Sequence, residues 1–318
     1  MTSDDVQNPW ARRPCHDNNV TQDEYEDSFQ FRPEHRGWLA LHLRPVANFL
    51  GGAFMTVATL GYARLAAPFK TEFVEVPMPL AKLPASFEGF RILQLSDFHA
   101  GDVPVSYLRR VIARVNQMRY DLAVFTGDFV SHDLKYVREA AEVLGELRRP
   151  VAAVLGNHDY SRSIETWSSS EVAEALTKEL EARGIEVLRN RALTIEREGG
   201  RIQVVGLEDF WSGMFSPEKA FEGTNRQQPI IALSHNADSV FTLRRFGADW
   251  VLAGHTHGGQ IRIPVLGPMV LPVHFKQFDK GLFDVRGTKL YVNRGVGCRV
   301  PVRFRCPPEV TTFVLTRG

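Results

Sequence analysis

Three short apolar runs, Arg91-Ile92-Leu93-Gln94-Leu95, Asp121-Leu122-Ala123-Val124-Phe125 and Val151-Ala152-Ala153-Val154-Leu155, stand between polar stretches. They are too short for helices and carry no amphipathic period, which predicts strands buried on both faces. Between them, residues 105–118 and 136–147 place apolar side chains at helical spacing. The order is βαβαβ, hence an α/β layer fold. A second series of strand-like runs follows at residues 202–206, 230–233, 251–253, 290–292 and 311–315. No internal repeat, low-complexity segment or linker interrupts residues 71–318, so one catalytic-sized domain is expected there.

The chain ahead of that domain has a different texture. Residues 1–35 are rich in Asp, Glu, Asn and Gln and poor in large aliphatics, so they cannot bury enough surface to order themselves and are expected to be a disordered polar tail. Within residues 36–70, the run 45–63 has no formal charge and is bracketed by Arg44 and Arg64. A helix needs about 20 such residues to cross a bilayer. Asn48, Gly51, Gly52, Thr56 and Thr59 make the run weakly apolar, so the plainer reading is a helix packed on the domain, and the sharper one is a membrane anchor. We expect membrane association with the domain on the cytoplasmic side, the alternative being a soluble cytoplasmic protein. Arg32, Arg36 and Arg44 before the run nearly balance Arg64, Lys70 and Lys82 after it, and leave the topology open. No cleavable signal peptide is expected.

Charge and cysteine content change the picture little. Lys plus Arg number 38 against 37 Asp plus Glu, so no overall field draws in nucleic acid, and no nucleic-acid partner is expected. Cys15, Cys298 and Cys306 form neither a CxxC pair nor an even framework, and free thiols are expected. Neither a P-loop nor a dinucleotide fingerprint is present.

The chemistry gathers where the strands end, which is where open α/β sheets bind ligands. Asp97-Phe98-His99 follows the first run, Gly127-Asp128 the second and Gly156-Asn157-His158-Asp159 the third. In the second series Ser234-His235-Asn236 follows residues 230–233, and Gly254-His255-Thr256-His257 follows residues 251–253. Asp97 and His99 are two apart, as are His255 and His257, and each pair would project to one side if the extended strand continued. Each motif alone is weak, and a lone His at a strand end is usually structural. Together, His99, His158, His235, His255 and His257 of the 10 histidines fall at such ends, with Asp97, Asp128 and Asn157. Charged and polar groups are rarely collected at a core edge without a function.

The order D-x-H, G-D, G-N-H-D, H, G-H-T-H resembles the calcineurin-like metallophosphoesterase superfamily. Downstream, Gly258-Gly259-Gln260 with residues 264–272, Tyr291-Val292-Asn293-Arg294-Gly295 and Cys306-Pro307-Pro308-Glu309 resemble a bacterial branch of membrane-associated phosphoesterases, some acting on UDP-2,3-diacylglucosamine or phospholipid-like substrates. The resemblance implies a four-layer αββα sandwich of two mixed sheets flanked by helices. It also implies two divalent metals, Mn, Fe, Zn or Co, with Asp97, His99 and His257 on one, Asn157, His235 and His255 on the other, and Asp128 bridging. A metal-bridging hydroxide would then cleave a phosphodiester or pyrophosphate bond. His158 takes the role of leaving-group acid, with Asp159 orienting it. Arg294 and Arg303 are expected to bind substrate phosphate. The expected partner is a phosphorylated small molecule or lipid, the alternatives being a soluble general or nucleotide phosphodiesterase and an inactive scaffold of the same fold. Asp209-Phe210-Trp211 and Phe215 lie in an irregular stretch that could line a lid or plug a core edge.

Overall fold

Successive side chains of a strand point to opposite faces, and most strands here are apolar on both, so both sheet faces must be covered. The structure is a computed structural model that describes residues 13–14, 62–131, 133–163 and 166–318. The polar tail, apart from residues 13–14, and the run 45–63, apart from its last two residues, lie outside the described residues. Among the described residues no helix is long and apolar enough to cross a membrane.

The strands are β1 (Arg13–Pro14), β2 (Glu72–Leu80), β3 (Arg91–Leu95), β4 (Leu122–Thr126), β5 (Val151–Val154), β6 (Ser161–Ser163), β7 (Thr166–Ser169), β8 (Glu186–Val187), β9 (Arg191–Arg197), β10 (Gly200–Gly206), β11 (Ile230–Leu233), β12 (Trp250–Ala253), β13 (Arg262–Ile263), β14 (Gly267–Pro268), β15 (Gly281–Val285), β16 (Thr288–Val292) and β17 (Glu309–Arg317). One mixed sheet has the order β2-β17-β3-β4-β5-β8 and the other β1-β15-β16-β12-β11-β10-β9. The strands β3, β4 and β5 are mutually parallel, as are β10, β11, β12 and β16. Their carboxyl ends therefore lie in two rows, one per sheet. Pro77 and Pro79, which cannot donate to a ladder, sit in β2 at the sheet edge, where a missing donor costs least.

Alternation sorts the core into three slabs. Leu93, Leu95, Ala123, Phe125 and Ala153 pack on helices Val105–Asn116, Val137–Gly145 and Glu171–Glu181. Ile92, Val124 and Val154 face the other way and meet Val204, Ile231, Trp250 and Leu252 of the second sheet. On that sheet's far face Val205, Ala232, Val251 and Val292 lie under Ala237, Val240, Leu243 and Phe278. This is the expected αββα order. Among the polar ties that cross between the sheets, Trp250 Nε1 donates to Pro79 O at 3.1 Å, and Gln94 Nε2 donates to Ala253 O at 3.0 Å. The second tie lies beside the two rows of strand ends and fixes one against the other.

One strand departs from the sequence reading. Residues 311–315, counted with the second series, belong to β17, which lies antiparallel beside β3 in the first sheet. Pairing on its other side with β2 makes it an interior strand, and its faces are covered separately, Val310 in the helix-side slab and Phe313 and Leu315 between the sheets. Cys298 and Cys306 are buried free thiols, as expected.

Candidate metal centre

The five strand ends converge. Asp97 and His99 leave β3, Asp128 leaves β4, Asn157 and His158 leave β5, His235 leaves β11, and His255 and His257 leave β12. The extended geometry that was to aim Asp97 with His99 and His255 with His257 does not continue beyond the strands. Asp97, His99, Asp128, His255 and His257 all have positive φ, between 48° and 69°. Side chains other than Gly pay for that conformation through crowding of Cβ, and such residues collect at functional sites. Here each chain turns back at its strand end, so five side chains point inward from backbones that would otherwise diverge.

Two glycines make the crowding feasible. A Cβ on Gly156 would stand 2.3 Å from Asp128 Oδ1, and one on Gly254 would stand 2.5 Å from Asp97 Oδ2. Any larger residue at either position would push a carboxylate out of place.

The inward side chains form two donor groups, Asp97 with His99 and His257, and Asp128 with His235 and His255. In the first, His257 Nε2 lies 3.4 Å from Asp97 Oδ1 and 3.1 Å from His99 Nε2. In the second, His235 Nε2 lies 3.1 Å from Asp128 Oδ2 and 3.2 Å from His255 Nδ1. Asp128 Oδ2 is also 3.5 Å from His99 Nε2, so this carboxylate joins the groups. Three of the four outer nitrogens are held by other partners, and His257 Nδ1 is buried without one. His235 Nδ1 meets Thr126 O at 2.6 Å, His255 Nε2 meets Pro272 O at 2.7 Å and His99 Nδ1 meets Ser131 Oγ at 3.2 Å. A ring that donates outward turns its lone pair inward, which is how proteins orient metal-binding imidazoles.

These residues fit divalent metals. Lone pairs of neutral imidazoles and carboxylates converge at distances too short for comfort unless a cation or proton lies among them. Asn157 Oδ1, buried and without a hydrogen-bond partner, adds a further neutral oxygen donor. The mixed nitrogen and oxygen set suits first-row transition ions. Burial holds the His99, His255 and His257 imidazoles below the ordinary histidine range, so they stay neutral at pH 7. His235 differs. Burial opposes its charge, but the Asp128 carboxylate prevails and pushes its pKa up to about 10. Without metal, His235 is therefore protonated at pH 7, and it must lose that proton to ligate. Metal uptake at pH 7 to 8 is expected to release about one proton from this ring, measurable by calorimetry in buffers of different ionisation enthalpy. Uptake without proton release would show that His235 is not a ligand.

His158, half-buried, lies at the rim. Its backbone N–H donates to Asp128 Oδ1 at 2.9 Å, and its ring stands edge-on to His99 at 5.1 Å between centroids. Asp159 faces elsewhere than expected. Its Oδ2 accepts from the N–H groups of Asp128 and Gly156, at 2.9 and 2.8 Å, and its Oδ1 from those of Phe129 and Val130, at 2.8 and 3.1 Å. A fully buried carboxylate with four backbone donors anchors the loop that presents Asp128, which is a positioning role.

Arg294 and Arg303 also depart from the expectation. Arg294 is buried between Glu309 and Glu72. Arg303 is fully buried and donates to the carbonyls of Arg294, Gly295, Gly297 and Cys306, with a longer contact to His257 O. Neither guanidinium is free to meet substrate phosphate. Both brace the loops that carry the donors. Of two further features, sequence reasoning left one open and missed the other. Trp211, from the aromatic stretch, lies edge-on to His255 at 4.6 Å, and its backbone N–H donates to Asp209 Oδ1 at 2.8 Å. Thr126 O and Pro272 O orient imidazoles through backbone, which leaves no residue-type signal.

Comparison with known proteins agrees with this geometry. The profile described as calcineurin-like phosphoesterase matches residues 90–259. The metallophosphoesterase YkuE of Bacillus subtilis is 33% identical over 83% of this chain and 92% of its own length. The phosphodiesterase YaeI of Escherichia coli is 34% identical over 84% and 98%. The UDP-2,3-diacylglucosamine pyrophosphatase LpxG of Chlamydia muridarum is 29% identical over 80% and 92%.

Proposed function

Because the chain belongs to the calcineurin-like phosphoesterase family, and is thus a metal-dependent phosphoester hydrolase, we propose that it cleaves a phosphodiester or pyrophosphate bond in a lipid-linked substrate, using two divalent ions. Asp97, His99 and His257 would hold one ion and Asn157, His235 and His255 the other, with Asp128 shared. When bound, such a pair supplies Lewis acidity toward phosphoryl oxygens and a water acidified enough to attack phosphorus at neutral pH. The observation that carries the reading is the meeting of two buried donor groups at one carboxylate, Asp128.

The chain's own residues do the rest. Asp159 keeps the Asp128 loop in register through its four backbone hydrogen bonds. Thr126 O and Pro272 O keep His235 and His255 in the tautomers that face inward. His158 is half-buried at the rim beside His99, where its imidazole can hand a proton to the departing oxygen. Positioned acids of this kind contribute about 10²-fold or more. His158→Gln is accordingly expected to slow cleavage of alkyl phosphodiesters by about 10²-fold and to spare nitrophenyl diesters, whose leaving group needs no proton. Equal losses for both would remove His158 from that role.

The lipid-linked substrate class is supported by the likeness to LpxG and by the charge-free run 45–63. The likeness to a phosphodiesterase of Escherichia coli favours a second reading, a general phosphodiesterase. A panel with metal-loaded protein decides between them: UDP-2,3-diacylglucosamine, a bis-aryl phosphate and an aryl monoester. Preference for the first supports the proposal, and activity confined to the soluble esters overturns it.

A further inference from the structure

Exposed apolar side chains scattered singly over a surface mean little, but here they lie on three segments that are bonded to one another. The hairpin β13–β14 turns at Pro264, Val265 and Leu266. Val265 is fully exposed, and Leu266 and Val270 are 75% and 70% exposed. Arg262 N donates to Phe304 O at 3.1 Å and Phe304 N to Gln260 O at 2.9 Å, which lays the hairpin along residues 299–305, where Val300 is 60% exposed. That segment in turn holds the start of the domain, since Arg303 N donates to Ala63 O at 3.0 Å. Tyr62 and Leu65 beside it are exposed.

Charge follows the same boundary. Residues 62–71, 258–278 and 294–308 contain no Asp or Glu, yet they carry Arg64, Lys70, Arg262, Lys276, Arg294, Arg299, Arg303 and Arg305. Of these Arg64, Lys70, Arg299 and Arg305 are exposed, Arg299 with only a 3.9 Å contact to Asp102. A contiguous apolar surface with an excess of cations at its rim is complementary to an anionic bilayer, where aliphatic tips enter the headgroup region and Arg meets phosphate. The turn itself is unusual. Val265 adopts φ 71°, a conformation that favours Gly or Asn and penalises β-branched residues, so neither turn geometry nor burial accounts for a valine there. Tyr62 and Ala63, the described end of the charge-free run, also lie at this face.

The face adjoins the metal centre. The hairpin begins just after His257 and ends just before Pro272, whose carbonyl holds His255. Extending the reading of the chain as a hydrolase of lipid-linked substrates, we infer that hairpin β13–β14 and residues 299–305 form a docking surface for an anionic lipid bilayer, placing the mouth of the metal centre at the headgroup layer.

The test separates this surface from any anchoring by the run 45–63. Full-length protein carrying Cys15→Ser and Leu266→Cys is labelled with an environment-sensitive fluorophore and mixed with phosphatidylcholine vesicles with or without phosphatidylglycerol. Glu198→Cys in the same background labels the exposed turn between β9 and β10. A blue shift at position 266 with anionic vesicles, absent at position 198 and weakened in about 1 M salt, where screening acts within about 3 Å, is the expected result. Vesicle-bound protein whose label at 266 stays in water, or no binding to anionic vesicles, overturns the proposal. Hydrolysis of a soluble bis-aryl phosphate by the same labelled protein reports separately on the chain as a phosphoester hydrolase, and its loss counts against that activity and not against the docking surface.

Discussion

Asp128→Asn is expected to lower turnover of a bis-aryl phosphate by about a thousandfold with the fold intact, because the substitution removes the one charge common to both donor groups. Asp128 Oδ2 lies 3.1 Å from His235 Nε2 and 3.5 Å from His99 Nε2. Burial disfavours its charge, yet His235 holds its carboxyl well below the usual range, so the site has one negative charge at its centre. An amide keeps the shape and an oxygen able to accept from His158 N, but it supplies no charge to hold two cations together. Bound metals contribute several kcal/mol of transition-state stabilisation, and about 1.4 kcal/mol corresponds to tenfold in rate. Losing even one ion therefore accounts for about a thousandfold. Metal content should fall in parallel, from two ions toward one, while circular dichroism stays unchanged. Wild-type activity in Asp128→Asn would sink the two-ion reading.

Much of this site is legible in the sequence, for a physical reason. Buried strands leave a continuous apolar signature, and the polar residue after each run marks a strand end whatever the tertiary fold. The runs 91–95, 151–155 and 230–233 fall on β3, β5 and β11 to within a residue. The backbone beyond a strand end is less legible. Asp97, His99, Asp128, His255 and His257 all take positive φ, and although Asp and His adopt it more often than most residues, the types alone do not say which of them will. Strands whose pattern is mixed, such as β2 with its two prolines and the half-exposed β9, need their partners to be recognised. The cationic run 294–305 showed the opposite failure. Arg in an otherwise apolar stretch reads as a surface residue waiting for an anion, while the structure turns Arg294 and Arg303 inward to carboxylates and carbonyls.

That inversion yields the second large effect. Arg303→Met is expected to destabilise the domain by about 3–5 kcal/mol, because each buried acceptor that loses its donor costs about 1–3 kcal/mol and several are left at once. For a domain of this size it lowers Tm by about 10 °C. The guanidinium donates to Arg294 O at 2.8 Å, Gly295 O at 3.3 Å, Gly297 O at 2.7 Å and Cys306 O at 3.2 Å. Met fills most of the volume but leaves these carbonyls facing an apolar chain, and buried acceptors without donors are costly. The damage reaches the metal centre through backbone. Gly297 N donates to Asp97 O at 2.7 Å and Val296 N to Ser96 O at 2.9 Å, so the braced loop lies directly against the turn that aims Asp97. A Cβ on Gly295 would stand 2.7 Å from Asp97 Cβ, which measures how little room that turn has to move. Metal affinity should therefore fall together with Tm in the absence of any substrate. A substrate-binding arginine predicts the reverse: KM rises while Tm and metal content hold. Thermal denaturation of the metal-free and metal-loaded variant, beside its KM for a soluble diester, distinguishes the two, and an unchanged Tm would return Arg303 to the substrate.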